Sequence, residues 1–392
     1  MKLNPLKIAI LLIMFGTISF SNAQTSMVPD MQSAKQLKYD DDDSYLFTEG
    51  LCALKKSNLW GFIDPSGNWV IEPVYYKWGT ENPYFSDGIC LVGMRAPDGY
   101  GNIPVYIDKK GNRLFKNQNF ASATPFKNGV AIIAKETGPT HIRVYSFINT
   151  QGVVIPGSIS PQFKGLSFEY TPASDGMAKI WDDKLNSYGF VNSKGAWAIK
   201  PENRKFNEAD VFSDSYCAVQ STTNFFWGFI DATGKVQVPF DYQLMPHRFY
   251  NGRALVMKNG LEMNFIDKTG NNPFSFSCTS PTFDFHDGYA AVTIDDGMYK
   301  QSIINTSGIV VKQLDVEASF DVNADGTIVY QQRGNDGLTV LKADGTVLIA
   351  DALYLKIKSF GCGLAYVQFY ADYETKSGFI DETGKLVILR TE

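Results

Sequence analysis

A chain of 392 residues, 44% hydrophobic and 20% charged, is too apolar to be disordered and long enough for two or three ordinary domains. With 36 Lys and Arg against 41 Asp and Glu, a formal net charge of −5 and no basic cluster, the sequence argues against a nucleic-acid partner. An aromatic share of 14% beside 34 glycines points away from helical bundles and toward β-structure with many tight turns.

Residues 1–23 read as a secretory signal peptide. Lys2 and Lys7 flank the start of an apolar run, Ile8 to Phe20, that is short for a bilayer span. Ser21 and Ala23 then set small residues ahead of a cut before Gln24. The expectation is a mature chain that is exported, periplasmic or secreted, without stable membrane insertion. Residues 24–46, which include the acidic run Asp40 to Asp43, read as a solvated linker.

From residue 47 to the C-terminus two markers alternate. The first is a Phe-x-Asp-Gly lead-in, seen as "FTEG" from Phe47, "FSDG" from Phe85, "FKNG" from Phe126 and "FYNG" from Phe249. "FHDG" from Phe285 is a further copy, looser ones run from Ala173, Phe212, Asn323 and Phe360, and a period-2 strand follows each. The second is a turn of the form Asp/Asn-x-x-Gly, closing at Gly67, Gly111, Gly152, Gly195, Gly234, Gly270, Gly308 and Gly384, with a ninth copy closing at Gly345 that begins with Lys342. Its first side chain can accept a hydrogen bond from the backbone two residues on, and its glycine takes the positive φ. By subtraction, successive closing glycines lie 36 to 44 residues apart, which is the period of a repeat architecture.

Between the markers the chain repeats a phrase. Trp60-Gly61-Phe62-Ile63-Asp64 is followed by Ile71-Glu72-Pro73, and Trp227-Gly228-Phe229-Ile230-Asp231 is nearly the same. Tyr188-Gly189-Phe190-Val191-Asn192 and Ser377-Gly378-Phe379-Ile380-Asp381 are softer copies. These residues resemble the bacterial WG-repeat family, and the resemblance covers residues 47–392 as nine units. It makes Trp60, Gly61, Asp64, Gly67, Trp227, Gly228, Asp231 and Gly234 the repeat-defining structural residues. It also implies a binding or interaction module.

The pattern itself predicts an all-β chain of tandem units, each about 40 residues long and a three-stranded antiparallel meander. A Trp side chain buries on the order of 200 Å², enough to anchor one unit on the next. The expected assembly is an open superhelical stack, with a closed β-propeller as the alternative, since propeller blades usually carry four strands.

Chemistry is harder to find. Asp321-Val-Asn323-Ala-Asp325-Gly326 opens like a calcium loop, but Gln332 stands where the bidentate Glu belongs. His141, His247 and His286 fall in three different units without metal-ligand spacing. No G-x-S-x-G elbow, phosphate loop or C-x-x-C pair occurs. The sequence therefore predicts no catalytic residue, no metal site and no cofactor. Cys52, Cys90 and Cys217 share one repeat position and read as small buried side chains, while Cys278 and Cys362 have no reading.

Insertions from Gly93, Ala134 and Pro156 lengthen the N-terminal half. Their aromatics Tyr100, Phe163, Phe168 and Tyr170 form a candidate binding surface for sugar or peptide, or equally seal the edges of neighbouring sheets. The functional expectation is an exported, non-enzymatic scaffold that binds a protein or envelope component. A carbohydrate-binding protein using these aromatics is the alternative, and a glycan-active enzyme ranks third.

Overall fold

The computed structural model describes residues 29–40, 45–137, 142–155, 175–182, 185–192, 194, 196–201, 206–258, 262–295 and 297–391. The signal-like segment, Asp41 to Asp43, His141, Phe163, Phe168 and Tyr170 lie outside the described residues.

Two consecutive residues at positive φ make the tightest hairpin turn that suits twisted strands, and Asp or Asn followed by Gly adopts it most readily. The Phe-x-Asp-Gly marker is such a turn. Glu49 and Gly50 sit at φ of 49° and 87°, Asp87 and Gly88 at 54° and 76°, and Asn251 and Gly252 at 51° and 75°. The lead-in is therefore itself a strand.

After β1 (Lys35–Lys38), the first unit runs β2 (Phe47–Thr48), β3 (Leu51–Lys56), β4 (Leu59–Ile63) and β5 (Trp69–Tyr75). Strands β2 to β5 form one antiparallel sheet in chain order. The complete unit thus has four strands where the sequence pattern predicts three. At the second turn Gly67 N donates to Asp64 O at 3.0 Å, and Ser66 N to Asp64 Oδ1 at 2.9 Å.

Among the described residues every regular element is a strand, and no helix is long and apolar enough to cross a membrane. The strands make eight sheets. Nine units occupy them because the units closing at Gly270 and Gly308 share one six-stranded sheet, joined only at the pair Met263–Cys278.

One aromatic contact recurs between neighbouring units. The ring two residues before the Asp/Asn turn meets the marker Phe of the next unit. Phe62 lies 4.9 Å from Phe85, Tyr106 5.0 Å from Phe126, Phe190 4.9 Å from Phe212, and Phe229 4.7 Å from Phe249. The glycines of the Asp/Asn turns, meanwhile, rest on apolar side chains of the preceding unit, Gly111 on Ile71, Gly234 on Ile199 and Gly152 on Phe115. A repeat cannot bury these faces alone, so each unit completes its predecessor.

The series closes on itself. Phe379 of the last unit meets Phe47 of the first at 5.4 Å, the same contact as at the other seams. Strand β1 pairs in parallel with Leu386–Thr391, from Lys35 opposite Ile388 to Lys38 opposite Thr391, and Arg390 Nε donates to Tyr39 O at 2.9 Å. One hydrophobic cluster joins Phe47, Phe62 and Phe85 to Tyr366, Phe379 and Ile388.

The architecture is a ring of small sheets, a β-propeller. The open superhelix expected from the sequence is thereby corrected in favour of its alternative. The physical reason is that both terminal units find in each other the partner that an open stack would leave to solvent. The expected linker is corrected in part as well, since residues 35–38 are a strand. Asp40 accepts from Ser57 N and Asn58 N, both at 3.3 Å.

Candidate interaction surface

A meander sends alternate connections to opposite ends of its sheet, so equivalent connections in successive blades emerge on the same face of the ring. One face carries the marker turns and the Asp/Asn turns. The other carries the hairpin tips equivalent to the one between β3 and β4.

On the first face the acidic side chains are engaged. In most markers the third residue reaches the next blade: Glu49 Oε2 accepts from Gly88 N at 3.0 Å, Asp87 Oδ2 from Gly129 N at 2.8 Å, and Asp175 Oδ2 from Ser215 N at 2.6 Å. Asp214 Oδ2 continues to Gly252 N at 2.6 Å and Asn251 Oδ1 to Gly288 N at 3.2 Å. At the closing seam Cys362 Sγ accepts from Gly50 N at 3.1 Å. The marker residues are latches between blades.

Asp325, from the calcium-like segment, has the same employment. Its Oδ1 accepts from Thr327 N at 3.0 Å and its Oδ2 from Phe360 N of the next blade at 2.6 Å. Among the described residues no group of three or more His, Cys, Asp or Glu side chains is placed to hold a metal ion. In the turn at Asp231, the Thr233 hydroxyl leads a set of donors that holds this carboxyl down to about pH 2.

His247 and Asp284 pair across one seam, Nδ1 to Oδ1 at 3.0 Å, and this hydrogen bond raises the imidazole above its ordinary value. A bidentate pair of 2.8 Å bonds joins Arg248 to Asp210 at the seam before it. His286 packs against Gly326 of the following unit. Cys52, Cys90, Cys217 and Cys278 are buried; burial pushes the Cys278 thiol up to about 12 and the other three up as well. Raised thiols are poor nucleophiles.

The opposite face is different. Among the described residues the exposed aromatic side chains are Tyr100, Phe225, Tyr299, Tyr370 and Tyr373. Tyr100, Phe225, Tyr299 and Tyr373 lie in the hairpin tip that joins the two long strands of their units, and Tyr370 lies in the strand just before the tip of Tyr373. Met298 and Leu185, also exposed, occupy the same kind of tip. Of the four aromatics proposed from sequence, Tyr100 is placed here, 87% exposed.

Phe225, Tyr299 and Tyr373 hold φ of 60°, 51° and 67°, a backbone region that bulky side chains resist. The sequence signal for these residues was available: a tight turn normally takes Gly, Asn or Asp, and "TTNFFW", "DGMYK" and "YADYE" put aromatics there instead. The repeat-defining tryptophans play the opposite role. Trp60 and Trp227 are buried, with Trp60 edge-on to Tyr45 at 6.3 Å.

The model of the WG-containing repeat matches residues 60–79, 188–221 and 227–261. The chain carries WG repeats. No curated protein matches its sequence. Among solved structures, the WG-repeat chain is similar to the crystal structure of a eukaryotic initiation factor. The TM-score is 0.52 at 12% identity, over 87% of this chain and 96% of that one, a likeness of fold alone. BamB from Moraxella catarrhalis aligns at a TM-score of 0.37 and 11% identity, over 80% of this chain and 98% of its own. Kluyveromyces lactis Hsv2 aligns at 0.33 and 11%, over 55% and 73%. At those two scores neither bears on the argument.

Proposed function

We propose that this WG-repeat propeller is an exported, non-enzymatic scaffold that docks a partner protein on the face carrying its hairpin tips. The observation that carries the reading is the gathering of Tyr100, Phe225, Tyr299, Tyr370 and Tyr373 in or just before these tips. Exposed Tyr and Phe supply large, rigid contact area at low entropic cost, which is why such residues anchor protein interfaces. Export rests on the N-terminal residues, with Lys2 and Lys7 beside an apolar run and Ser21 and Ala23 before Gln24. A scaffold role agrees with the employment of the recurring carboxylates, which serve latches and turns instead of a reacting centre.

The test uses the mature chain from Gln24 as bait against the solubilised envelope of its own source. A variant carrying Phe225→Asn, Tyr299→Asn and Tyr373→Asn serves as the comparison. A protein captured reproducibly by the wild type and lost from the variant, with melting undiminished, is the expected result. Equal capture by both chains would remove the tips from consideration. Turnover of a defined substrate, abolished by changing one carboxylate, would overturn the scaffold reading altogether.

A further inference from the structure

We propose that the open cleft beside Asn264 is a saccharide-binding site. In the first unit β5 bulges over Gly61, so that a Cβ there would lie 2.5 Å from Ile71 O and 2.6 Å from Pro73 N. Gly228 is covered in the same way, with Val238 O at 2.6 Å. In the sixth unit the equivalent residue is Asn264, within Met263-Asn264-Phe265-Ile266-Asp267.

An amide side chain cannot occupy the space that this backbone takes elsewhere. The segment after Gly270 accordingly departs, and it returns to the sheet only at Met263–Cys278. Where the two full Trp-Gly units have a bulged strand, this one has a cleft of about 630 Å³.

Its walls suit a neutral, hydroxyl-rich ligand. Asn264, Asn272, Ser275 and Asp295 supply amide, hydroxyl and carboxylate groups, and Tyr242 and Phe276 supply aromatic surface. Asn264 is buried, and its Oδ1 accepts from Asn272 Nδ2 at 2.9 Å, which fixes both amides. Phe276 stacks on Phe274 with centroids 5.4 Å apart and planes 19° from parallel, which holds the ring in place.

Among the described residues no cationic side chain lines the cleft, so these walls offer nothing to neutralise a phosphate or carboxylate ligand. A single carboxylate is a poor cage for a metal ion. Sugars, by contrast, present hydroxyls that amides and carboxylates hold in pairs, and C–H faces that lie on aromatic rings. The volume falls within the range of about 300–1,000 Å³ usual for small-ligand sites. The site uses none of the exposed tip aromatics, so it stands or falls independently of the scaffold reading.

The test is saturation-transfer NMR and calorimetry on the mature chain from Gln24. The probes are a panel of neutral mono- and disaccharides, including glucose, galactose, mannose and N-acetylglucosamine, with short neutral peptides as the competing class. At least one saccharide is expected to bind. Asn264→Gly, which installs the residue that full Trp-Gly units carry at this position, should weaken it by about tenfold or more. Asp295→Asn, a near-isosteric second variant, should weaken it as well while leaving the melting transition in place. Absence of any saccharide binding, saccharide binding unchanged in both variants, or binding of peptide in place of saccharide would each overturn the proposal.

Discussion

Tyr373 stands 96% exposed at φ 67°, so it gains nothing from burial while holding a conformation that favours Gly, Asn or Asp. Such positions cost about 1–2 kcal/mol for an ordinary side chain, and backbone strain of this kind collects at functional sites. Tyr373→Asn should therefore raise stability by about 1 kcal/mol while weakening partner capture. Chemical denaturation and the bait experiment, read on the same protein, check both halves. A variant less stable than wild type would show that the ring supports the blade. His247 offers a second test at this scale. Its value is raised in the fold by the bond to Asp284, so the stability it adds is fully present below its ordinary 6.5 and is lost as pH rises through the elevated value. The melting gap between wild type and His247→Gln should be open at about pH 5.5 and nearly closed at about pH 8.5.

At the scale of the strand, the glycine of each Trp-Gly phrase answers to its own third strand. Gly228 is free of positive φ, yet a Cβ there would lie 2.6 Å from Val238 O and 2.8 Å from Pro239 O. Gly228→Ala should cost about 1–3 kcal/mol by overpacking, measured as a lowered denaturation midpoint with an unchanged slope. The Ser302 unit pairs Ser302 directly with Gln313, a register that the last unit shares in pairing Gly378 with Leu389. The elements themselves were legible in the sequence. The Asp/Asn-x-x-Gly turns, the alternation on either side and the period near 40 are local signals, written within a few residues of where they act. The marker was half legible: its Asp-Gly pair is a hairpin signal in its own right, but a lead-in strand of two residues is too short to show alternation. The cleft was not legible. That Asn264 replaces a glycine can be read from the aligned phrases, but the opening it forces depends on a bulge that no single unit's pattern announces.

Closure belongs to the molecule as a whole, and local pattern is silent on it. Whether a stack of units closes depends on a small rotation per unit, summed over the series until residue 379 meets residue 47. The same seam contacts serve a ring or a superhelix equally well. What separates them is the N-terminal segment, whose charged and polar residues around Leu37 give little strand signal on their own. A closed ring makes a demand that an open stack does not: its first and last blades must depend on each other. In a linear array each unit leans only on its neighbours, and the ends fray independently. Deleting residues 24–40 from the mature chain removes β1 and the carbonyl of Tyr39 that Arg390 holds. The deletion should lower the melting temperature. It should also expose amides of Leu386–Thr391 to hydrogen exchange, together with those of Leu51–Lys56, more than 300 residues away in sequence but across the same seam. Exchange that rises in the last blade while the first keeps its protection would show that β1 caps one end of the chain without fastening the ring.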